Sequence, residues 1–168
     1  MTQTELQQFL SEFAADRLSI LERHEAGAQV VSHYDFNNTY QYVINREETH
    51  VTWLQDALTA LGASMPRSSK SLAVPAVTKT GKKTDEGAFK GILVDDVVHL
   101  GAFVQNWRPR IEAMDNARHR TMLKVVIGES LEHQRLFEQA AAGFEDVLGR
   151  RTGGVAREGA VLPTRWQE

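Results

Sequence analysis

The chain has 168 residues, 42% hydrophobic and 24% charged, with 19 Lys and Arg against 22 Asp and Glu and no Cys. Its net charge of −3 and pI near 6.1 give no general attraction to nucleic acid or to an anionic membrane. No apolar run approaches the ~20 residues that span a bilayer, and without Cys there are no disulfides, thiolate metal sites or thiol nucleophiles.

The N-terminus, MTQTELQQFLSEF, is acidic and amphipathic, unlike a signal peptide, so a cytoplasmic protein is expected. At this length one domain is expected. Thr4 or Thr2 can cap a first helix carrying Leu6, Phe9, Leu10, Phe13, Ile20 and Leu21 on one side. At about 100° per residue, the centre of that stripe also takes Arg17 and His24, with Asp16 at its edge. His24 reads as a core-edge histidine, and Gly27 weakens the helix near its end.

Ser32 to Asn38 forms a short link in which Asp35 or Asn37 caps the second helix. That helix has one face reading Phe36, Tyr40, Val43, Glu47, His50, Leu54, Leu58, Leu61, and Gly62 supplies its stop. Glu47 and His50 stand where Leu or Ile would be expected. A carboxylate and an imidazole turned toward a core cost several kcal/mol unless partners satisfy them.

Residues 63–87 break all periodicity and contain Ser, Lys, Pro and Gly in place of an apolar stripe. So long a link inside a compact domain is explained if it crosses the full length of a helix bundle. The third helix presents Phe89, Ile92, Leu93, Asp96, His99, Leu100, Phe103, Trp107, Ile111 and Met114, with Pro109 expected to kink it or end it near Arg108. Asp115 or Asn116 starts the fourth, which presents Met122, Val126, Ser130, His133, Phe137, Ala140, Phe144 and Val147 and stops near Gly149. Residues 150–168 read as a loosely ordered tail containing Trp166. The expected fold is all-α: a four-helix bundle over residues 1–149, with up-down pairs joined by one long crossover between helices two and three.

At mid-bundle the last three helices each place an i, i+3 polar pair on a buried face: Glu47 with His50, Asp96 with His99, and Ser130 with His133. Carboxylate oxygens and neutral imidazoles are ligands for iron, manganese or zinc. The segments REETHVTWLQDAL (46–58) and GESLEHQRLFEQA (128–140), with the long central link, resemble the ferritin-like superfamily, which includes rubrerythrins, bacterioferritins and quinone-ring hydroxylases.

That family supplies Glu-x-x-His from helices two and four and a Glu from each of helices one and three. The resemblance implies a metal site of Glu47, His50, Asp96, Glu129 and His133, to which the polar layer adds His99, holding iron as a mononuclear or di-metal centre for redox chemistry. Here Ser130 replaces the paired Glu, leaving Glu129 as the substitute, and the mid-height residue of helix one is Arg17. Glu12 points away from the stripe, and Asp16 lies roughly 70° from its centre.

Three readings follow. The first is a metal-dependent redox protein of ferritin-like type. The second is a metal-free bundle, serving as an oligomeric (homodimeric) or partner-binding module, in which Arg17 sits between Glu47 and Asp96 and the His residues complete a polar network. The third is a His-only site of His50, His99 and His133 that favours zinc or nickel. The substrate is not specified by any of them, and neither a nucleic-acid partner nor a membrane one is expected. Thr80-Gly81-Lys82-Lys83 lacks the strand and first glycine of a phosphate-binding loop.

Overall fold

The computed structural model describes residues 1–77, 86–144 and 146–149. The 150–168 tail with Trp166, and Thr80-Gly81-Lys82-Lys83, lie outside the described residues. Within them the chain forms four long helices and no strand: α1 (Gln3–Val30), α2 (Tyr34–Ala60), α3 (Lys90–Glu112) and α4 (Ala117–Ala141), with a 3-10 turn at Glu86–Phe89 ahead of α3. No helix among the described residues is long and apolar enough to cross a membrane.

Local chemistry sets the ends. Thr2 caps α1 through a reciprocal box: Glu5 N–H donates to Thr2 Oγ1 at 3.2 Å, and Thr2 N–H donates to the Glu5 carboxylate at 2.6 Å. The α2 cap is His33, whose Nδ1 accepts from Phe36 N–H, and not Asp35 or Asn37. Asn37 instead donates its amide to the carbonyls of Ala28 (2.7 Å) and Val31 (2.9 Å), satisfying the open end of α1 and fixing the turn. Gly62, at φ +77°, ends α2 as expected. Asn116 caps α4.

Two boundaries differ from the sequence expectation. The third helix does not end near Arg108 but continues through Pro109 to Glu112. Pro109 is exposed, so water reaches the carbonyl its missing N–H leaves open. The fourth ends at Ala141, not near Gly149, and Gly143 follows at φ +93°.

The helices pack α1 against α2 and α3 against α4, with α1 also touching α3 and α2 touching α4. The α1–α3 pairs Glu12–Arg110, Asp16–Trp107 and Arg23–Asp95 run in opposite directions along the two helices, as do the α2–α4 pairs Tyr40–Phe137 and His50–Glu129. Both contacts are therefore antiparallel. Aromatic clusters lie on either side of mid-bundle. Trp107 packs edge-on to Phe9 and Phe13 toward one end, and Tyr40 meets Phe137 at 4.8 Å toward the other. Between them the core turns polar.

Gly27 lets α1 approach α2 closely: a Cβ there would stand 2.9 Å from Tyr40 Cε1 and 3.0 Å from Arg23 Nη1. Both neighbours are buried and held, so neither yields cheaply. Gly27→Ala is expected to lower stability by about 1–3 kcal/mol despite the better helix propensity of Ala. Gly128→Ala in α4, where nothing lies within 4 Å of the added carbon, is expected to raise it by about 0.5–1 kcal/mol. Urea midpoints at unchanged m-value check both signs.

Candidate functional site

Each helix contributes to one polar layer. Arg17, Arg23 and His24 come from α1, Glu47 and His50 from α2, Asp96 from α3, and Ser130 and His133 from α4, and every one is at most 1% exposed. Except for Arg23, which lies off its stripe and reaches in along a long side chain, their helices place them there because each stripe keeps the 3–4 spacing of an amphipathic helix through the polar positions.

Arg17 is the hub. Its guanidinium pairs with Glu47 Oε1, donates to Ser130 Oγ at 3.0 Å, and lies over the Phe103 ring at 5.2 Å. Ser130 in turn donates to the Val126 carbonyl at 2.7 Å. The second oxygen of Glu47 meets His24 Nδ1 at 2.9 Å, and His133 Nδ1 approaches Oε1 at 3.6 Å. Burial alone would raise the Glu47 pKa, but the charges of Arg17 and His24, the nearby His133 ring and the His24 hydrogen bond outweigh it, holding the carboxyl well below the usual range.

Arg17 does not sit between Glu47 and Asp96. The cation beside Asp96 is Arg23, whose Nη1 lies 3.3 Å from Oδ1 and whose Nη2 bonds Asp95 at 3.0 Å. His24 bridges the two halves, its Nε2 standing 3.6 Å from Asp96 Oδ1, and Tyr40 donates its hydroxyl to Asp96 Oδ2. Burial dominates at Asp96 and raises its pKa against the opposing pull of His24, Arg23 and Tyr40. The Tyr40 hydroxyl is pushed far up, first by burial and then by the Asp96 charge beside it.

Two of the expected ligands stand apart from this centre. His99 is not on the buried face; its side chain is 26% exposed and its Nε2 lies 3.1 Å from Asp95 Oδ2. Glu129 is at the edge, holding Arg46 in a bidentate pair at 2.6 and 3.0 Å and meeting His50 Nε2 at 2.8 Å. The hydrogen bonds from Arg46 and His50 lower the Glu129 pKa against the effect of burial. His50 is pushed down to about 4 by burial and the Arg17 charge, and is neutral at pH 7.

The implied iron site can be tested against these contacts. Both Glu47 oxygens and one Asp96 oxygen already face donors, and a guanidinium has no lone pair to offer a metal. Two buried arginines supply the positive charge that a metal ion would otherwise bring beside these carboxylates. Among the described residues no group of three or more His, Asp or Glu is arranged to hold a metal ion. The layer as it stands does not fit a di-metal centre. No protein-family model matches the chain, and no curated protein matches it either.

Glu47→Gln leaves Arg17 as an uncompensated buried charge and is expected to destabilise by about 3–5 kcal/mol. Adding Arg17→Met should recover much of that loss, a coupling that a double-mutant cycle in urea measures. His50 makes stability pH-dependent. Its folded pKa lies near 4, below the unfolded value of 6.5, so between these the unfolded chain binds more protons. Stability should fall as pH drops through that window, by up to roughly 3 kcal/mol. Asp96, shifted upward, acts in the opposite sense and is more favourable at low pH. Urea midpoints from pH 7 to 4 should therefore show a slope that His50→Gln flattens.

Proposed function

We propose that the protein is a metal-independent bundle of ferritin-like type, in which a charge-compensated Arg/carboxylate layer takes the place of the metal centre, and that it serves as a binding or assembly module. One observation carries this reading: Arg17 occupies the mid-height position of α1 and is buried against Glu47. Charge balance points the same way. Arg17 stands beside Glu47 and Arg23 beside both Asp95 and Asp96, so each of these carboxylates has a guanidinium next to it without an ion.

The arrangement is of ferritin-like type in this reading because α1 is antiparallel to α3, and the short Val31–His33 turn makes it antiparallel to α2. Helices α2 and α3 then run parallel, and the chain between them crosses the bundle lengthwise. Ser69 in that connection donates its backbone N–H to the Ala15 carbonyl at 3.1 Å, midway along α1, as such a path requires. Val94 and Val98, exposed on the outer face of α3, give a binding module an apolar surface to present.

A second reading, the metal-dependent redox protein, draws on His50 Nδ1 and His133 Nδ1. Both are buried imidazole nitrogens with no hydrogen-bond partner among the described residues, and lone pairs of this kind are metal ligands. That reading needs Arg17 to leave Glu47.

Metal analysis by mass spectrometry of protein purified without tag or chelator separates the two. The expected result is no stoichiometric iron, manganese, zinc or nickel, and a melting temperature unchanged by adding each. Near two iron per chain, or one zinc or nickel with a raised melting temperature, would overturn the proposal.

A further inference from the structure

A second polar feature lies outside the buried layer. Between α1, α3 and the connection that follows α2 is a recess of about 220 Å3, lined by Asp16, Ile20, Lys70, His99, Phe103 and Asn106, among others. Its floor is apolar, and the Phe103 ring separates it from Arg17 below. Its walls carry opposite charges.

Asp16 is held rigidly: Oδ1 accepts from Ser69 Oγ at 2.6 Å and Oδ2 accepts from Trp107 Nε1 at 2.9 Å. Each oxygen keeps a lone pair. Lys70 is placed by its backbone, whose N–H donates to Ser19 Oγ at 3.1 Å, and its ammonium forms no ion pair among the described residues. His99 is oriented by Asp95, which Arg23 anchors from below. A carboxylate and an ammonium thus line one recess without neutralising each other. Such a pair is complementary to a ligand carrying both charges. The volume lies below the ~300–1,000 Å3 of sites for larger ligands, so the ligand is small.

We propose that this recess binds a small zwitterion of the α-amino-acid class, with its ammonium on Asp16, its carboxylate on Lys70, and its side chain against Ile20 and Phe103. The site rests on α1, α3 and the connection after α2, and is independent of whether the buried layer holds metal.

Titration calorimetry on the full chain tests it, with glycine, alanine, serine, leucine and phenylalanine as probes. Each is paired with its hydroxy acid, which lacks the ammonium, and its amide, which lacks the carboxylate. At least one amino acid should bind saturably, and its two analogues should bind about tenfold more weakly or worse. Lys70→Ala, an exposed position, should weaken binding by a similar factor at unchanged melting temperature, and Asp16→Asn should weaken the amino acid more than its hydroxy acid. The proposal is overturned if no probe binds at ~1 mM, if a hydroxy acid binds as well as its amino acid, or if Lys70→Ala binds like the parent protein.

Discussion

The buried guanidinium of Arg17 is the constraint on which the bundle depends. From α1 it reaches Glu47 in α2, Phe103 in α3 and Ser130 in α4, so one side chain touches every other helix. Apolar contacts are non-directional and would tolerate a helix sliding by a turn. A planar fork of donors does not, because a one-turn slip, about 5.4 Å, would leave a buried charge facing Leu or Val. Such a pair adds little net stability over an apolar core of equal volume, since both ions lose their hydration. What it supplies here is register.

Around that hub the polar groups divide into a sealed part and two routes outward. Arg17, Glu47, His24 and Asp96 are wholly buried. Arg23 leads through Asp95 to His99 on the α3 side, and His50 leads through Glu129 to Arg46 on the α4 side. At Glu47 and Asp96 burial is the largest influence, and the neighbours decide the final direction. Glu47 is pulled down because its partners outweigh burial, whereas Asp96 is pushed up because they do not.

Much of this was legible in the sequence, and the parts that were not share a cause. Four apolar stripes at helical spacing gave the helices, and their interruptions gave Arg17, Glu47, His50, Asp96, Ser130 and His133 as inward residues. Arg23 was missed because, six residues after Arg17, it lies about 120° off the stripe and arrives at Asp96 only through its long stem. Asp95 escaped for the same reason, one residue and about 100° from Asp96. His99 was placed inward by i, i+3 spacing, but the buried line of α3 continues through Leu100 and leaves His99 at the helix flank. By sequence His24 falls at the core edge, yet α1 continues to Val30 and places it well inside the bundle, between two carboxylates. At the α1–α2 turn, Asn37 was a reasonable cap by type but found two carbonyls of the preceding helix instead.

The distribution of partners across the helices also orders how the chain assembles. Residue pairs within α1–α2 and within α3–α4 are close in sequence and close early, with little chain entropy lost. Arg17 finds Glu47 inside the first hairpin, but its Ser130 and Phe103 contacts come only from the second. Arg23 depends more heavily still, having both of its acidic partners, Asp95 and Asp96, across the divide. A lone first hairpin therefore keeps Arg23 in water, and closing the two hairpins is the step that removes its hydration and supplies its counterions together. Partial docking would dehydrate the cation without neutralising it, which makes the union of the two halves all-or-none.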